Sequence, residues 1–170
     1  MMTRRGIEWL SLASDDPAQC RMAWMDDPRQ PRLLAAGQLF DVLAVDQTAG
    51  METFDQLRRR GMPVGPVMVD RAAERMGFFL PAGSRERFVK SLSRETDTPP
   101  PYTVLDAGSF VVVPGPMALT GDRFEWVNAP IRPQYGSPLQ TVALAVMFAA
   151  ASQLIARARQ YGLETADAQR

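Results

Sequence analysis

The side chains available for chemistry in this sequence are carboxylates, arginines and hydroxyls. The chain carries 19 acidic and 19 basic residues but no histidine, and its one cysteine is Cys20. Without histidine there is no Ser-His-Asp triad, no Cys-His dyad and no histidine-ligated zinc. A single cysteine excludes an internal disulfide and a CxxC metal site. The remaining options are acid–base work by carboxylates, anion binding by arginines, and a hard cation such as Mg²⁺ held by carboxylates.

A candidate anion site lies in the middle of the chain, where Arg71, Arg75 and Arg85 flank predicted structural elements. Ser84 follows Pro-Ala-Gly and opens a predicted helix, whose first N–H groups are free to bind an anion. If these four residues converge, they form a nucleotide-binding or phosphate-binding site. Alternatively, the arginines form salt bridges with neighbouring glutamates and Ser84 only caps its helix.

The overall composition is that of an ordinary globular protein. A length of 170 residues predicts one domain, and 46% hydrophobic residues are enough for one core. The net charge of zero gives no basic footprint of the kind that nucleic-acid-binding domains often show.

Hydrophobic periodicity, caps and turn residues predict the elements that must position these side chains. The predicted helices cover residues 17–26, 51–61, 84–93 and 138–161. The predicted strands cover residues 39–46, 66–69, 76–81, 102–106, 109–115 and 123–127. We expect residues 48–50 to form a loop and residues 71–74 to turn a hairpin between two strands.

This order of elements predicts an α+β fold in which a mixed or antiparallel sheet packs against helices and a long helix follows at the C-terminus. We expect residues 1–162 to form the single domain and residues 163–170 to form a polar tail. The apolar segment 139–151 is too short for a membrane span, which needs about 20 residues. It is either a central core helix or a helix that also buries one face in a homodimer. No signal-peptide pattern precedes the domain, so we expect a soluble, cytoplasmic protein.

Three stretches of the sequence resemble a known family. They are LFDVLAVDQTAGMETFDQL at residues 39–57, MGFFLPAGS at residues 76–84 and SFVVVPGPMALTGDRFEWV at residues 109–127. Together they are similar to the bifunctional primase-polymerase domains of the archaeo-eukaryotic primase superfamily. The phrases GPV and GFF-P-G, at residues 65–67 and 77–83, resemble short stand-alone members from actinobacteria.

The resemblance implies a metal site whose residues are only partly present here. In that family, two acids on the first strand and a third acid from a later strand bind two divalent metals, and a Ser-x-His motif contacts the nucleotide phosphate. The second acid matches Asp46, whereas the first falls on Ala44, and Asp106 is the candidate for the third acid. The Ser-x-His motif is absent. Alternation along the strand places Asp41 on the opposite face, where we expect a surface or turn-bonded acid.

The resemblance therefore implies the fold and weakens the expected activity. Our first expectation is a degenerate domain that has lost catalysis and acts as a binding or regulatory module for a nucleotide, a nucleic acid or a protein partner. The second is a residual nucleotidyltransferase that uses Mg²⁺ or Mn²⁺ at Asp46 and Asp106. The third is a homo-oligomeric interaction protein with no nucleotide ligand, assembled as a dimer through the C-terminal helix.

Overall fold

The computed structural model describes all residues from Met1 to Arg170 and confirms the predicted α+β fold. Five helices are present: α1 (Arg4–Ser11), α2 (Pro17–Asp26), α3 (Gln47–Arg59), α4 (Arg85–Glu95) and α5 (Pro138–Ala168). Seven strands are present: β1 (Arg32–Ala35), β2 (Phe40–Asp46), β3 (Val67–Asp70), β4 (Arg75–Pro81), β5 (Thr103–Leu105), β6 (Phe110–Val113) and β7 (Phe124–Asn128).

The strands form two sheets, and every pairing is antiparallel. The large sheet has the order β5-β2-β4-β3-β7, and the small sheet pairs β1 with β6. The predicted hairpin between β3 and β4 is confirmed, and it closes where Asp70 opposes Arg75. Strand β4 lies at the centre of the large sheet, directly beside β2, with Asp46 opposite Arg75 and Ala44 opposite Gly77.

One face of the large sheet packs against α3, α4 and α5. Leu43 and Val45 of β2 point to this side and join an 18-residue buried cluster that includes Phe88 of α4 and Phe148 of α5. Alternation along β2 places Phe40 and Val42 on the other face. There they join a second cluster with Trp9, Trp24 and residues of the small sheet. The large sheet is therefore buried on both faces, between a helical layer and a layer formed by α1, α2 and the small sheet.

Helix α1 was not expected from the sequence. It has only eight residues, but Thr3 caps it by accepting a hydrogen bond from the Gly6 amide at 3.2 Å. Gly6 lies so close to the following chain that an added Cβ would come within 1.9 Å of the Pro130 carbonyl oxygen. Docking against residues far away in sequence thus stabilises a helix too short to be predicted from periodicity.

Helix α3 begins earlier than predicted, and the expected loop over residues 48–50 is wrong. The Asp46 side chain caps the helix directly, so β2 passes into α3 without a connecting loop. Gly50 is helical, and an added Cβ would lie 2.9 Å from the Met76 side chain. This glycine allows α3 to approach β4 closely rather than forming a turn.

Helix α5 also continues further than predicted, through Gly162 to Ala168, so residues 163–168 are helical rather than a tail. Its apolar half is packed in the core, where Ala145, Phe148 and Ala151 are almost fully buried. By length and composition alone α5 could cross a membrane, but the core helices of soluble proteins pass the same test. The burial of its apolar half is that of such a core helix.

Candidate functional site

A cleft lies between the large sheet and the small sheet, and it encloses a cavity of about 260 Å³. Nine of its thirteen lining residues are hydrophobic. The floor is formed by alternate residues of β2, β3 and β4, and the opposite wall by Phe110, Val111 and Val112 of the small sheet. Charged side chains lie at one end of the floor, where Asp70, Arg75 and Arg123 contribute to the lining.

The central residues of the cleft floor are small. Ala44 of β2 lies directly beside Gly77 of β4. A Cβ added to Gly77 would lie 2.8 Å from the Met68 side chain and 3.0 Å from that of Val42. The cleft thus presents no side-chain oxygen at Ala44 or Gly77, and its middle is apolar.

Arg75 is the cleft arginine that has no carboxylate partner. Its Nη2 donates to the Ala44 carbonyl oxygen at 3.1 Å, and it takes part in none of the salt bridges of the molecule. By register it stands between Asp46 on one side and Asp70 on the other. An arginine without a carboxylate keeps its positive charge available for an anion.

Asp70 and Arg123 form a two-pronged ion pair beside Arg75. Arg123 donates from Nε to one carboxylate oxygen at 3.0 Å and from Nη2 to the other at 3.1 Å. These hydrogen bonds lower the pKa of Asp70 below its ordinary value and raise the pKa of Arg123. Arg123 also lies over the ring of Phe124, at 4.8 Å from its centroid. This cation is therefore held in place at the end of the cleft.

Asp46, the residue that matches the second family acid, caps helix α3. Its Oδ2 accepts a hydrogen bond from the Ala49 amide at 3.0 Å. Its side chain is exposed at the end of β2 and is absent from the lining of the cavity. The structure therefore gives Asp46 a clear structural role.

Asp106 lies at the other end of the sheet from Asp46. Leu105 pairs with Val42, so the register places Asp106 next to Asp41, five residues along β2 from Asp46. Five residues of strand span roughly 16 Å. Asp106 instead accepts two hydrogen bonds from Arg85, at 2.6 and 3.0 Å, and these lower the pKa of Asp106. The structure does not bring Asp46 and Asp106 together around one ion.

The four predicted anion-binding residues also fall into separate places. Arg71 pairs with the nearly buried Glu125, whose other oxygen accepts from the Gly121 amide at 3.2 Å. Arg85 pairs with Asp106, as described above. Ser84 is buried: its hydroxyl donates to the Pro81 carbonyl at 2.5 Å, so it does not cap α4 as expected. Of the four, Arg75 alone lines the cleft.

Asp41 anchors the chain at the start of α4 by bonding the amide of Ser84. It is fully buried on the helical side of the sheet, and its Oδ2 accepts from the Ser84 amide at 2.9 Å while its Oδ1 has no partner. Of the two expected environments, the surface position is wrong because Asp41 is buried, whereas its hydrogen bond to the backbone that follows the turn at residues 82–83 agrees with a turn-bonded acid. Burial raises the pKa of Asp41, more than its hydrogen bonds and the nearby Arg85 lower it.

The two-metal site that the resemblance implies does not fit these residues. The cleft face of β2 offers one carboxylate where two would be needed, and the candidate third acid lies at the far end of the strand. No group of three or more histidine, cysteine, aspartate or glutamate side chains is arranged to hold a metal ion. Binding of Mg²⁺ or Mn²⁺ by this protein stays a prediction.

Sequence reasoning missed Asp70 and Arg123, which form the charged end of the cleft. The alternation of Met68 and Asp70 along β3 was visible in the sequence, but it could not show that this face opens onto a cleft. Arg123 was read only as the start of a strand. Their association depends on the pairing of β3 with β7, a contact between residues 53 positions apart.

Comparison with known proteins identifies the family to which this chain is similar. The family model described as bifunctional DNA primase/polymerase, N-terminal, matches residues 3–141, which include both sheets and helices α1 to α4. No curated protein and no solved structure matches the chain significantly. The family model covers well over half of the chain, and its match confirms the resemblance seen in the three sequence stretches. The chain belongs to the bifunctional DNA primase/polymerase N-terminal domain family.

Proposed function

We propose that this primase-polymerase-like domain has lost nucleotidyl transfer and acts as a binding or regulatory module whose ligand carries a nucleotide phosphate. The observation that carries the proposal is the cleft face of β2 and β4. Two-metal catalysis needs closely spaced carboxylates that share the cations. The face presents Ala44 and Gly77 side by side, and its one carboxylate, Asp46, caps α3.

The charge distribution at the cleft supports binding of an anion. Arg75 lies opposite Asp46 and donates to a backbone carbonyl, a contact that a phosphate oxygen can replace with a stronger, charge-assisted hydrogen bond. Arg123 lies beside it, at the same end of the cleft. A phosphate held at this end would interact with arginines and would need no metal ion as an intermediary.

The apolar part of the cleft supports a ligand that also has a flat hydrophobic group. Phe110 is 60% exposed and lines the same cavity as Met68 of the sheet floor. Aromatic rings at such positions stack on nucleobases without strong sequence preference. A nucleotide placed with its phosphate at Arg75 and its base towards Phe110 would use both ends of the cavity.

The test is nucleotide binding measured by calorimetry in the presence of EDTA and again with Mg²⁺. We expect a deoxynucleoside triphosphate to bind under both conditions and Arg75→Ala to weaken binding at least about tenfold, the loss of one charge-assisted contact. Arg60→Ala is the matched control, because Arg60 is exposed at the end of α3 and outside the cleft. No binding by the wild-type protein, or equal binding by Arg75→Ala, would refute the proposal.

A further inference from the structure

The second half of helix α5 extends away from the rest of the molecule. Every residue from position 156 to 168 is exposed, whereas the first half of the helix is packed between α3 and α4. These thirteen residues correspond to a helix of roughly 20 Å. Helices of this length are only marginally stable in water without a packing partner. The extension therefore presents a surface that the single chain leaves uncovered.

One face of the extension has the spacing of a coiled-coil seam. Apolar or small residues recur three and four positions apart, at Leu154, Ala158, Tyr161, Thr165 and Ala168. We call these five residues the α5 stripe. Leu154 is 49% exposed and Tyr161 is 73% exposed, so the larger members of the stripe are accessible to a partner. Alternating three- and four-residue spacing is the pattern that packs one helix against another.

Two charges beside the α5 stripe distinguish the possible directions of a partner helix. Arg157 immediately precedes Ala158, and Glu164 immediately precedes Thr165, so the two charges occupy equivalent positions one heptad apart. Charges at these flanking positions set partner choice and orientation in coiled coils. Neither residue takes part in a salt bridge within the chain.

We propose that the α5 stripe is the interface with a second copy of this chain, packed antiparallel. In this arrangement Ala158 of one copy packs on Tyr161 of the other, and Leu154 packs on Thr165. Arg157 then faces Glu164 of the second copy, and two-fold symmetry repeats this ion pair. A parallel copy would place Arg157 beside Gly162 and leave both charges without a partner. The self-complementary charge pattern thus selects a second, antiparallel copy as the occupant.

A groove at the base of the extension fits the end of the second copy. Ile155 lines it together with Arg58 and Arg59 of α3. Arg58 has no carboxylate partner and lies over the ring of Phe54, at 5.6 Å from its centroid. Glu52 and Asp55 also line the groove, and Asp55 pairs with Arg59, which leaves Arg58 as its arginine without a carboxylate partner. In the antiparallel arrangement Asp167 of the second copy approaches Arg58. This attraction favours the same antiparallel arrangement as the Arg157–Glu164 pair does.

Charge reversal tests the proposal: single reversals should weaken the dimer, and the double reversal should restore it. Arg157→Glu alone and Glu164→Arg alone each place like charges together twice in the dimer, so we expect each to raise the dimer dissociation constant about tenfold. The double variant R157E/E164R restores both pairs and should return to the wild-type value. Arg159→Glu, a reversal two positions away on the outward side, is the matched control and should change little. Sedimentation velocity over a concentration series measures all five proteins.

Several outcomes would overturn the proposal. A wild-type protein that is monomeric at every concentration would do so, as would a dimer whose stability is unaffected by the single reversals. Failure of the double variant to recover would contradict the antiparallel direction. Co-flotation of the monomeric protein with phospholipid vesicles would assign the α5 stripe to a membrane surface instead. The nucleotide-binding experiment on Arg75 is independent of all these results, because the cleft and the extension share no residue.

Discussion

Asp46 and Asp41 occupy the same strand, yet the structure gives them opposite environments. Asp46 is exposed at the end of β2 and caps α3, whereas Asp41 is buried and accepts from the amide of Ser84, the residue before α4. From one strand, Asp46 therefore caps a helix and Asp41 anchors the residue that precedes another, on opposite faces of the sheet. An acid that resembles a catalytic residue in sequence can owe its presence to this structural role.

The capping role of Asp46 can be separated from any role of its charge. We expect Asp46→Ala to lower the free energy of unfolding by about 1 kcal/mol, the usual cost of removing an N-cap. Asp46→Asn keeps a capping oxygen and should cost only a few tenths of that amount. Urea denaturation measures both variants. Equal stability of the alanine variant and the wild-type protein would contradict the capping role.

Asp41 should give the protein a distinctive dependence of stability on pH. Because burial raises its pKa in the folded state above the ordinary value of 3.8, the folded protein binds this proton more tightly than the unfolded chain does. Its contribution to stability is therefore fully present below pH 3.8 and is lost as the pH rises through the folded-state pKa. We expect Asp41→Asn to remove this loss, as measured by urea denaturation at a series of pH values.

Asp106 is the control for that experiment, because its contribution to stability should depend on pH in the opposite sense. Arg85 lowers its pKa in the folded state, so its contribution is present above pH 3.8 and is lost as the pH falls through the lowered pKa. Asp106→Asn should therefore flatten the acid side of the stability profile. If Asp41→Asn and Asp106→Asn changed the profile in the same direction, the assignment of the two environments would be wrong.

The elements of this fold differ in how far their sequence determines them. The ends of β2, β4 and α2 followed from local alternation, caps and turn residues, whereas β1 and its pairing with β6 were not predicted. Helix α1 and the first turn of α3 did not follow from such local features, since both depend on close approach to distant backbone or side chains at Gly6 and Gly50. The charged end of the cleft could not be predicted from the sequence either, because the pairing of β3 with β7 brings Asp70 to Arg123.

Alanine substitutions of two helical glycines should change the stability of the protein in opposite directions. Gly6→Ala places a methyl group against the Pro130 carbonyl, so we expect it to lower the free energy of unfolding by about 1–3 kcal/mol. Gly162→Ala adds its methyl group in open space within a helix and should stabilise α5 by up to about 1 kcal/mol. Thermal denaturation compares the two. Destabilisation by Gly162→Ala would indicate that the helix ends there, as the sequence alone predicted.

At the scale of the whole molecule, the match to the bifunctional DNA primase/polymerase family covers most of the fold. Both sheets, the cleft between them and helices α1 to α4 fall within the matched residues 3–141. The sequence was sufficient to identify the family, which the match to residues 3–141 confirms. It could not show that Asp106 lies at the opposite end of the sheet, because that depends on the pairing register of β5 with β2.

We propose that this domain does not transfer nucleotides, and a primer-extension assay is the most direct test. Purified protein is incubated with a primed DNA template, deoxynucleoside triphosphates and either Mg²⁺ or Mn²⁺, beside the Asp46→Ala variant. We predict no extended primer with either metal and no difference between the two proteins. Extension by the wild-type protein that Asp46→Ala abolishes would contradict the account, because it would show a working metal site at the end of β2.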